Sequence, residues 1–217
     1  AFQIFGNGGM YNKPYTYFYV LDRNGKVLLD NRDKIGTRAI SSQTATIMNR
    51  LLRQVIVAGT GKGADIENWD VVGKTGTTND DKDSWFIGLT PQAVAGIWTG
   101  YDSPKRIRET AYAKKIWREI MIKYLSGKTP KSYVFDSNVK ECQYCLESGE
   151  LANSDACHST ATGYFANNNM PKTCSKHISA AHYESKFIEN SKSPLEQEPA
   201  DESALPEQDE SSEEYAE

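Results

Sequence analysis

Residues 71 to 100 alternate apolar stretches with short polar breaks so tightly that one arrangement, a three-stranded antiparallel meander, accounts for all of it. Val71 and Val72 are β-branched and lead into Gly73-Lys74-Thr75-Gly76-Thr77 as a buried strand would. The polar run Asn79 to Asp83 makes the first turn, and Ser84-Trp85-Phe86-Ile87-Gly88 opens the second strand. Pro91-Gln92 marks the second turn, so strands are expected near 71–77, 84–90 and 93–100. Gly73-Lys74-Thr75 also matches the end of a phosphate-binding loop. That motif requires glycine five residues before Gly73, and Asn68 stands there.

The flanking segments supply what such a sheet needs to be covered. Tyr15, Tyr17 and Tyr19 alternate with Thr16, Phe18 and Val20, and Asn24-Gly25 is a type I′ signal before Val27-Leu28-Leu29, which predicts a hairpin. Ile47, Met48, Leu51, Leu52 and Val55 recur at helical spacing, with Arg50, Arg53 and Gln54 on the other side. A helix from about Ser42 to Ala58 is expected, stopped by Gly59 and Gly61. Gly59-Thr60-Gly61-Lys62-Gly63 follows a helix, whereas phosphate cradles follow a strand, so it reads as a helix exit. Ala113, Trp117, Ile120, Met121, Tyr124 and Leu125 predict a last helix lying over the sheet. Ala1 to Phe5 reads as the final turn of a helix ended by Gly6-Asn7-Gly8-Gly9. The fold class is therefore α/β, a mainly antiparallel sheet flanked by helices.

Charge divides the chain. Residues 189–217 hold eleven acidic residues and one lysine, a net of −10, so the −4 of the whole chain leaves residues 1–188 at +6. With Pro194, Pro199 and Pro206 and few large apolar residues, that acidic segment is expected to be a disordered tail. Over the whole chain, 38% hydrophobic and 11% aromatic residues are ordinary for a globular protein, and the residues ahead of the tail are enough to bury a core. No apolar run approaches the length of a membrane span.

Lys74-Thr75-Gly76 resembles the K-T-G element of the penicillin-binding and serine β-lactamase enzymes. A wider resemblance covers most of residues 1–125: FGNGGMYNKPY, DRNGKVL, GTGKGA, VGKTGTTNDDKDSWFIG and IWTGYD are similar, in that order, to the transpeptidase domain of class A, bifunctional penicillin-binding proteins. The similarity continues more loosely through CLESGELANSDACHSTATGYFANNNMPKTC, like the short cysteine-bearing extension of part of that family. The resemblance implies residues 1–126 as the carboxyl-terminal part of an incomplete transpeptidase domain, 127–188 as the extension and 189–217 as the tail.

The same resemblance implies roles. Gly76 lets the edge strand approach substrate closely. Lys74 faces the terminal carboxylate of a D-Ala-D-Ala stem peptide, the hydroxyls of Thr75 and Thr77 hold that carboxylate, and the Thr77 amide completes an oxyanion hole. Thr78 and Trp85 are further substrate-binding candidates. Asp83 and Trp85 match the family's D-x-W-F, although an acid there can serve only turn amides and a Trp only the core. The family's nucleophile lies in S-x-x-K and its second element is S-x-N, both ahead of K-T-G. No S-x-N occurs in this sequence, and the single S-x-x-K, Ser137 to Lys140, comes after K-T-G in a polar stretch and is read as coincidence. The chain starts at Ala1 without a basic and apolar leader, so it reads as the carboxyl-terminal part of a longer protein and is expected to be inactive alone.

Peptidoglycan stem peptides and β-lactam antibiotics are the implied partners, with no nucleic acid and no cofactor. The implied location is the extracytoplasmic face of the cell membrane, through an anchor outside this sequence. A serine β-lactamase or a non-catalytic sensor domain is the alternative; β-lactamases usually close soon after the last helix, whereas about 90 residues follow Leu125. The four cysteines, Cys142, Cys145, Cys157 and Cys174, form a second chemical group. Cys142-x-x-Cys145 with Cys174-x-x-His177 is half of a zinc-ribbon pattern, and Cys157-His158 offers spare ligands. An outward-facing enzyme favours disulfides, so disulfide bonding is expected and no metal is assigned, with zinc and free thiols as the alternatives.

Overall fold

The computed structural model describes residues 1–32 and 35–178; the acidic segment 189–217 lies outside them. A short helix α1 (Gln3–Gly6) leads to strand β1 (Met10–Tyr11), the hairpin β2 (Tyr19–Leu21) and β3 (Val27–Asp30), and β4 (Thr37–Arg38), which pairs back onto β1. Helix α2 (Ser42–Val57) follows, then the meander β5 (Val72–Thr77), β6 (Ser84–Thr90) and β7 (Ala93–Thr99), helix α3 (Tyr112–Leu125), and the hairpin β8 (Val139–Cys145) and β9 (Thr160–Ala166). All the ladders between these strands are antiparallel. The mixed α/β architecture expected from the sequence is what the chain adopts.

The meander is laid down in the expected order β5-β6-β7, with Thr75 opposite Phe86 and Gly76 opposite Trp85. Alternation then sends Phe86 to one face and Leu89 to the other. On the Phe86 face lies α3, whose Trp117 is fully buried, meets the Phe86 ring edge-on at 5.2 Å and donates its indole N–H to the Ala95 carbonyl at 3.0 Å. Gly88 makes that contact possible, since a Cβ there would sit 2.4 Å from the Trp117 ring. Ile56, Val71, Ala113, Met121 and Leu125 complete this core. On the other face Val72 and Leu89 pack with Leu52 of α2, Phe2, Phe5 and Tyr133.

Both amphipathic helices form; the buried face of α2 is turned from the expected one, and that of α3 is the expected one but narrower. In α2 the buried residues are Ala45, Thr46, Asn49, Leu52 and Ile56, while Leu51 is exposed. Asn49 takes an inward position because its amide donates to the Phe5 carbonyl, which satisfies a buried polar group that an apolar-spacing argument would place outside. In α3, Ala113, Trp117, Met121 and Leu125 are buried, but Ile120 and Tyr124 are not.

The first hairpin also differs in detail. Type I′ geometry needs positive φ at both central residues, and here only Gly25 has it, at 82°. The Asp22 carboxylate accepts from the amides of Asn24 and Lys26, and the register shifts between Val20 and Leu21. This side-chain anchor favours a longer loop, in which the Gly25 amide donates to the Asp22 carbonyl and Gly25 takes the left-handed conformation at a bulge. Both strands of the hairpin are exposed throughout, Leu28 among them, and so is Phe18 just before β2.

Past α3, residues 127–138 run back across the body. Tyr133 enters the second core, and Asp136 closes the N-terminus of α2: its amide donates to Thr46 Oγ1 at 3.0 Å and its carboxylate accepts from the Ser42 hydroxyl. That hydroxyl, with the amide of Asn138, holds the Asp136 carboxyl below its usual range.

Two outcomes test this packing in the full-length protein. Trp117→Ala should cost about 3–5 kcal/mol in urea unfolding, the usual loss for a fully buried large aromatic; a loss below about 1 kcal/mol would contradict the role given to this contact. Because the folded-state pKa of Asp136 is depressed, its contribution is present above the unfolded aspartate value of about 3.9 and is lost as pH falls through the folded value. The thermal midpoint of the wild type should therefore drop more steeply on acidification than that of Asp136→Asn, and parallel curves would remove this carboxylate from the account.

Candidate active site and cysteine cluster

β5 pairs with β6 alone, so among the described residues its other edge is unpaired. Alternation divides the motif between the two faces of that edge. Thr75 and Thr77 share one face, Lys74 and Gly76 the other. The lysine then folds back along the edge, and its Nζ donates to the Thr75 carbonyl at 2.8 Å and lies 3.5 Å from Thr75 Oγ1. One ammonium and the threonine hydroxyls are thus gathered on a strand edge that has no backbone partner.

Thr60 joins them. The exit of α2 is drawn tight by the Gly61 amide donating to the Val55 carbonyl at 2.9 Å, and this sets the Thr60 hydroxyl 2.7 Å from that of Thr75. Lys114, on the first turn of α3, donates from Nζ to the Thr60 carbonyl at 3.0 Å. Thr60, Thr75, Thr77, Thr110 and Lys114 line a cleft of about 290 Å³ whose floor is Ser84 and Phe86. Ser84 is tied down by its own hydroxyl bond to the Thr110 carbonyl at 2.6 Å. The Gly59–Gly63 loop, a helix exit by its sequence, thus carries Thr60 to the cleft, and α3 brings Lys114. Neither belongs to a motif, and only the three-dimensional closure of α2 against β5 and α3 brings them in.

The other candidate residues fall around this edge with different surroundings. The missing side chain of Gly76 makes room for Trp85, whose Cβ would lie 3.3 Å from a Cβ built there. Trp85 is 46% exposed and rests against Trp98 at 6.5 Å. The Thr78 hydroxyl is engaged by the turn, accepting from the Asp83 amide at 2.8 Å and donating to the Asp83 carboxylate at 3.2 Å. Asp83 in turn accepts from the Trp98 indole at 2.9 Å. This acid holds the β5–β6 turn together.

Ser137 and Lys140 stand elsewhere. Ser137 lies in the turn before β8 and Lys140 on that strand, so the pair does not share the single helical turn that brings the residues of S-x-x-K together. The neighbouring Asp136 caps the start of α2, and the K-T-G edge borders its end, roughly 20 Å away at helical rise.

In the extension, all four cysteines are free thiols, where disulfide bonding was expected. Cys142 and Cys145 sit three residues apart on β8, so they face opposite sides of the strand. Cys142 stays apart. Cys145, Cys157 and Cys174 converge with His177, their ligand atoms all within 4.8 Å of one another.

The profile of the penicillin binding protein transpeptidase domain matches residues 1–122. Penicillin-binding protein 1A of Clostridium acetobutylicum is 43% identical over 123 residues, 56% of this chain and 15% of that protein. The protein of the same name from Clostridium perfringens is 36% identical over 151 residues, 69% of this chain and 18% of its own length. The chain thus spans less than a fifth of these relatives. Among solved structures, penicillin-binding protein 1A from Haemophilus influenzae shares the fold with a TM-score of 0.58 at 23% identity, covering 78% of this chain and 31% of that one. The penicillin-binding protein PonA1 from Mycobacterium tuberculosis superposes with a TM-score of 0.53 at 25% identity, over 60% of this chain and 38% of that one. An edge strand bearing Lys74, Thr75 and Thr77, and a sequence match that spans α1 through nearly all of α3, place this chain in the penicillin-binding protein transpeptidase domain family.

Proposed function

We propose that this chain supplies the substrate-anchoring strand of a peptidoglycan D,D-transpeptidase that works by an acyl-serine mechanism and is a target of β-lactams. The observation that carries the reading is the edge of β5 that has no partner strand among the described residues, where the Thr75 hydroxyl lies within hydrogen-bonding reach of both Lys74 Nζ and the Thr60 hydroxyl. An extended peptide ending in a carboxylate fits such an edge: its backbone continues the sheet while its charged end meets donors of opposite sign. Lys114 lines the cleft, and Lys74, which stands outside its lining, brings a second positive charge to the Thr75 hydroxyl at its rim.

In the proposed reaction a serine outside residues 1–217, activated by a neighbouring lysine, attacks the carbonyl between two terminal D-alanines. Its hydroxyl proton passes to the base and on to the departing D-alanine amine, leaving an acyl-enzyme. An amine of a second stem peptide then takes the acyl group. Thr75 and Thr77 hold the carboxylate, Lys74 supplies the charge beside it, and the Thr77 amide contributes to the oxyanion hole, a donor whose loss costs about 3–4 kcal/mol in comparable enzymes. Trp85 walls the cleft. Thr78, bound to Asp83, fixes the turn that ends β5. The exposed apolar strands of the β2–β3 hairpin fit a chain that packs against further sequence of a longer enzyme. That enzyme would act outside the cytoplasmic membrane and be anchored through another segment; no helix among the described residues is long and apolar enough to cross a membrane.

In the full-length protein, Lys74→Ala should slow acylation by a fluorescent penicillin about 10- to 100-fold, the loss expected for a charge-assisted contact of about 1.5–3 kcal/mol. The melting temperature should hold, because Lys74 is exposed and carries no core packing. Acylation within about twofold of wild type would defeat the anchoring role. The labelled serine should map outside residues 1–217, and labelling at Ser137 would overturn the reading of its motif. Fast release of the penicillin instead of a stable adduct would make the protein a β-lactamase.

A further inference from the structure

The extension has a core made of little besides sulfur. Its buried residues are Cys145, Cys157 and Cys174, with Ala152 packed against them. A two-stranded sheet such as β8–β9 is marginal by itself, and modules this small usually need a staple. Hydrophobic burial is a weak staple here, because beyond three thiols and Ala152 it adds only the half-buried Tyr144–Phe165 ring contact at 6.3 Å, little apolar surface to offset the ordering of some forty residues.

The geometry around His177 supplies the missing element. Its Nδ1 lies 3.4 Å from Cys145 Sγ, 3.5 Å from Cys157 Sγ and 3.5 Å from Cys174 Sγ. A tetrahedral zinc ion with sulfur at about 2.3 Å and nitrogen at about 2.0–2.1 Å sets nitrogen-to-sulfur separations of about 3.5 Å. A disulfide would fit the same atoms badly. It would draw two sulfurs to about 2.0 Å, away from the places all three hold at 3.4–3.5 Å around His177 Nδ1.

We propose that Cys145, Cys157, Cys174 and His177 bind one structural zinc ion that holds the extension together. The donor set, three soft thiolates and an imidazole with no carboxylate or carbonyl oxygen among them, selects zinc over calcium or magnesium. Four protein ligands, three of them buried, leave no open position, which is the mark of a structural site.

The surrounding groups orient these ligands as a metal shell would. Glu147 Oε2 lies 3.5 Å from His177 Nε2, directing Nδ1 to the sulfurs, and is itself held by Lys176 at 2.6 Å. The Ser148 hydroxyl donates to Cys174 Sγ at 3.2 Å and the Asn153 amide to Cys157 Sγ at 3.4 Å. Three separate segments are tied at one point: the end of β8, the loop before β9, and the stretch after residue 172, which is paired to Leu151 by backbone bonds. The ion thereby links elements that share almost no other core. It also assigns the cysteine motifs differently from their spacing, since Cys142 of the C-x-x-C is left out and Cys157 takes its place.

The full-length protein, purified without chelators and then exposed to zinc under reducing conditions, should hold one zinc per chain by elemental analysis after desalting. Cobalt in its place should give the strong visible bands and thiolate charge-transfer absorption of a tetrahedral sulfur-ligated site. Cys142→Ser should keep the full zinc content, and Cys157→Ser should lower zinc affinity at least 100-fold. Glu147→Gln should lower it about 10- to 100-fold, as removal of a ligand-orienting group does elsewhere. The proposal fails if the wild type takes up no stoichiometric zinc, if unreduced protein carries a disulfide between any two of Cys145, Cys157 and Cys174, or if cobalt shows only oxygen and nitrogen ligation. It fails equally if Cys142→Ser loses as much zinc as Cys157→Ser. The wild-type zinc and cobalt measurements decide the matter even if a variant does not fold.

Discussion

The pairing of β5 with β6, on one side only, is the constraint on which the rest of this structure depends. It fixes the register of Lys74, Thr75, Gly76 and Thr77, and so decides which side chains share a face. It also leaves the far edge without a partner strand among the described residues, the condition for adding a peptide strand. Everything behind the sheet serves to hold that edge in place. Trp117 locks α3 to β6 and β7 through Phe86 and the Ala95 carbonyl, and the α2 exit carries Thr60 to Thr75. A lysine at the start of α3 then bonds the Thr60 loop, so the two helices and the strand meet at one end of the cleft.

How much of this the sequence discloses follows from the range of each interaction. The meander was legible because alternation and turn residues act over a few positions, and β5, β6 and β7 begin and end within a residue of the expected ranges. Helix existence was legible for the same reason. The buried face of α3 could be read as well, but the direction in which α2 faces was not, because it is set by contacts distant in sequence: Asn49 is drawn inward by a carbonyl 44 residues away. Thr60 and Lys114 were invisible on similar grounds, since neither stands in a motif and their contact spans 54 residues. Asp83 shows the reverse case. Its place between two strands left both a cleft role and a turn role open, and the indole of Trp98 with the amide and hydroxyl bonds to Thr78 shows what it holds.

The cysteines show the limit of spacing as a guide. C-x-x-C reads as a chelating pair when it lies in a tight turn, but on a strand the same spacing sends the two side chains to opposite faces. Cys174-x-x-His177 keeps its pairing because that stretch is not a strand, and its backbone is anchored to Leu151. The extension and the transpeptidase fold meet through residues 127–138, where Tyr133 fills a core pocket and Asp136 caps α2. Whatever stabilises the extension therefore also bears on the helix that ends at the cleft.

The most direct test of the central claim is a crystal structure of the full-length protein acylated by a penicillin. The account predicts that the carboxylate of the adduct lies on the open edge of β5, within hydrogen-bonding distance of the Thr75 and Thr77 hydroxyls and beside the Lys74 ammonium. An adduct whose carboxylate is held by other residues, away from β5, would contradict it.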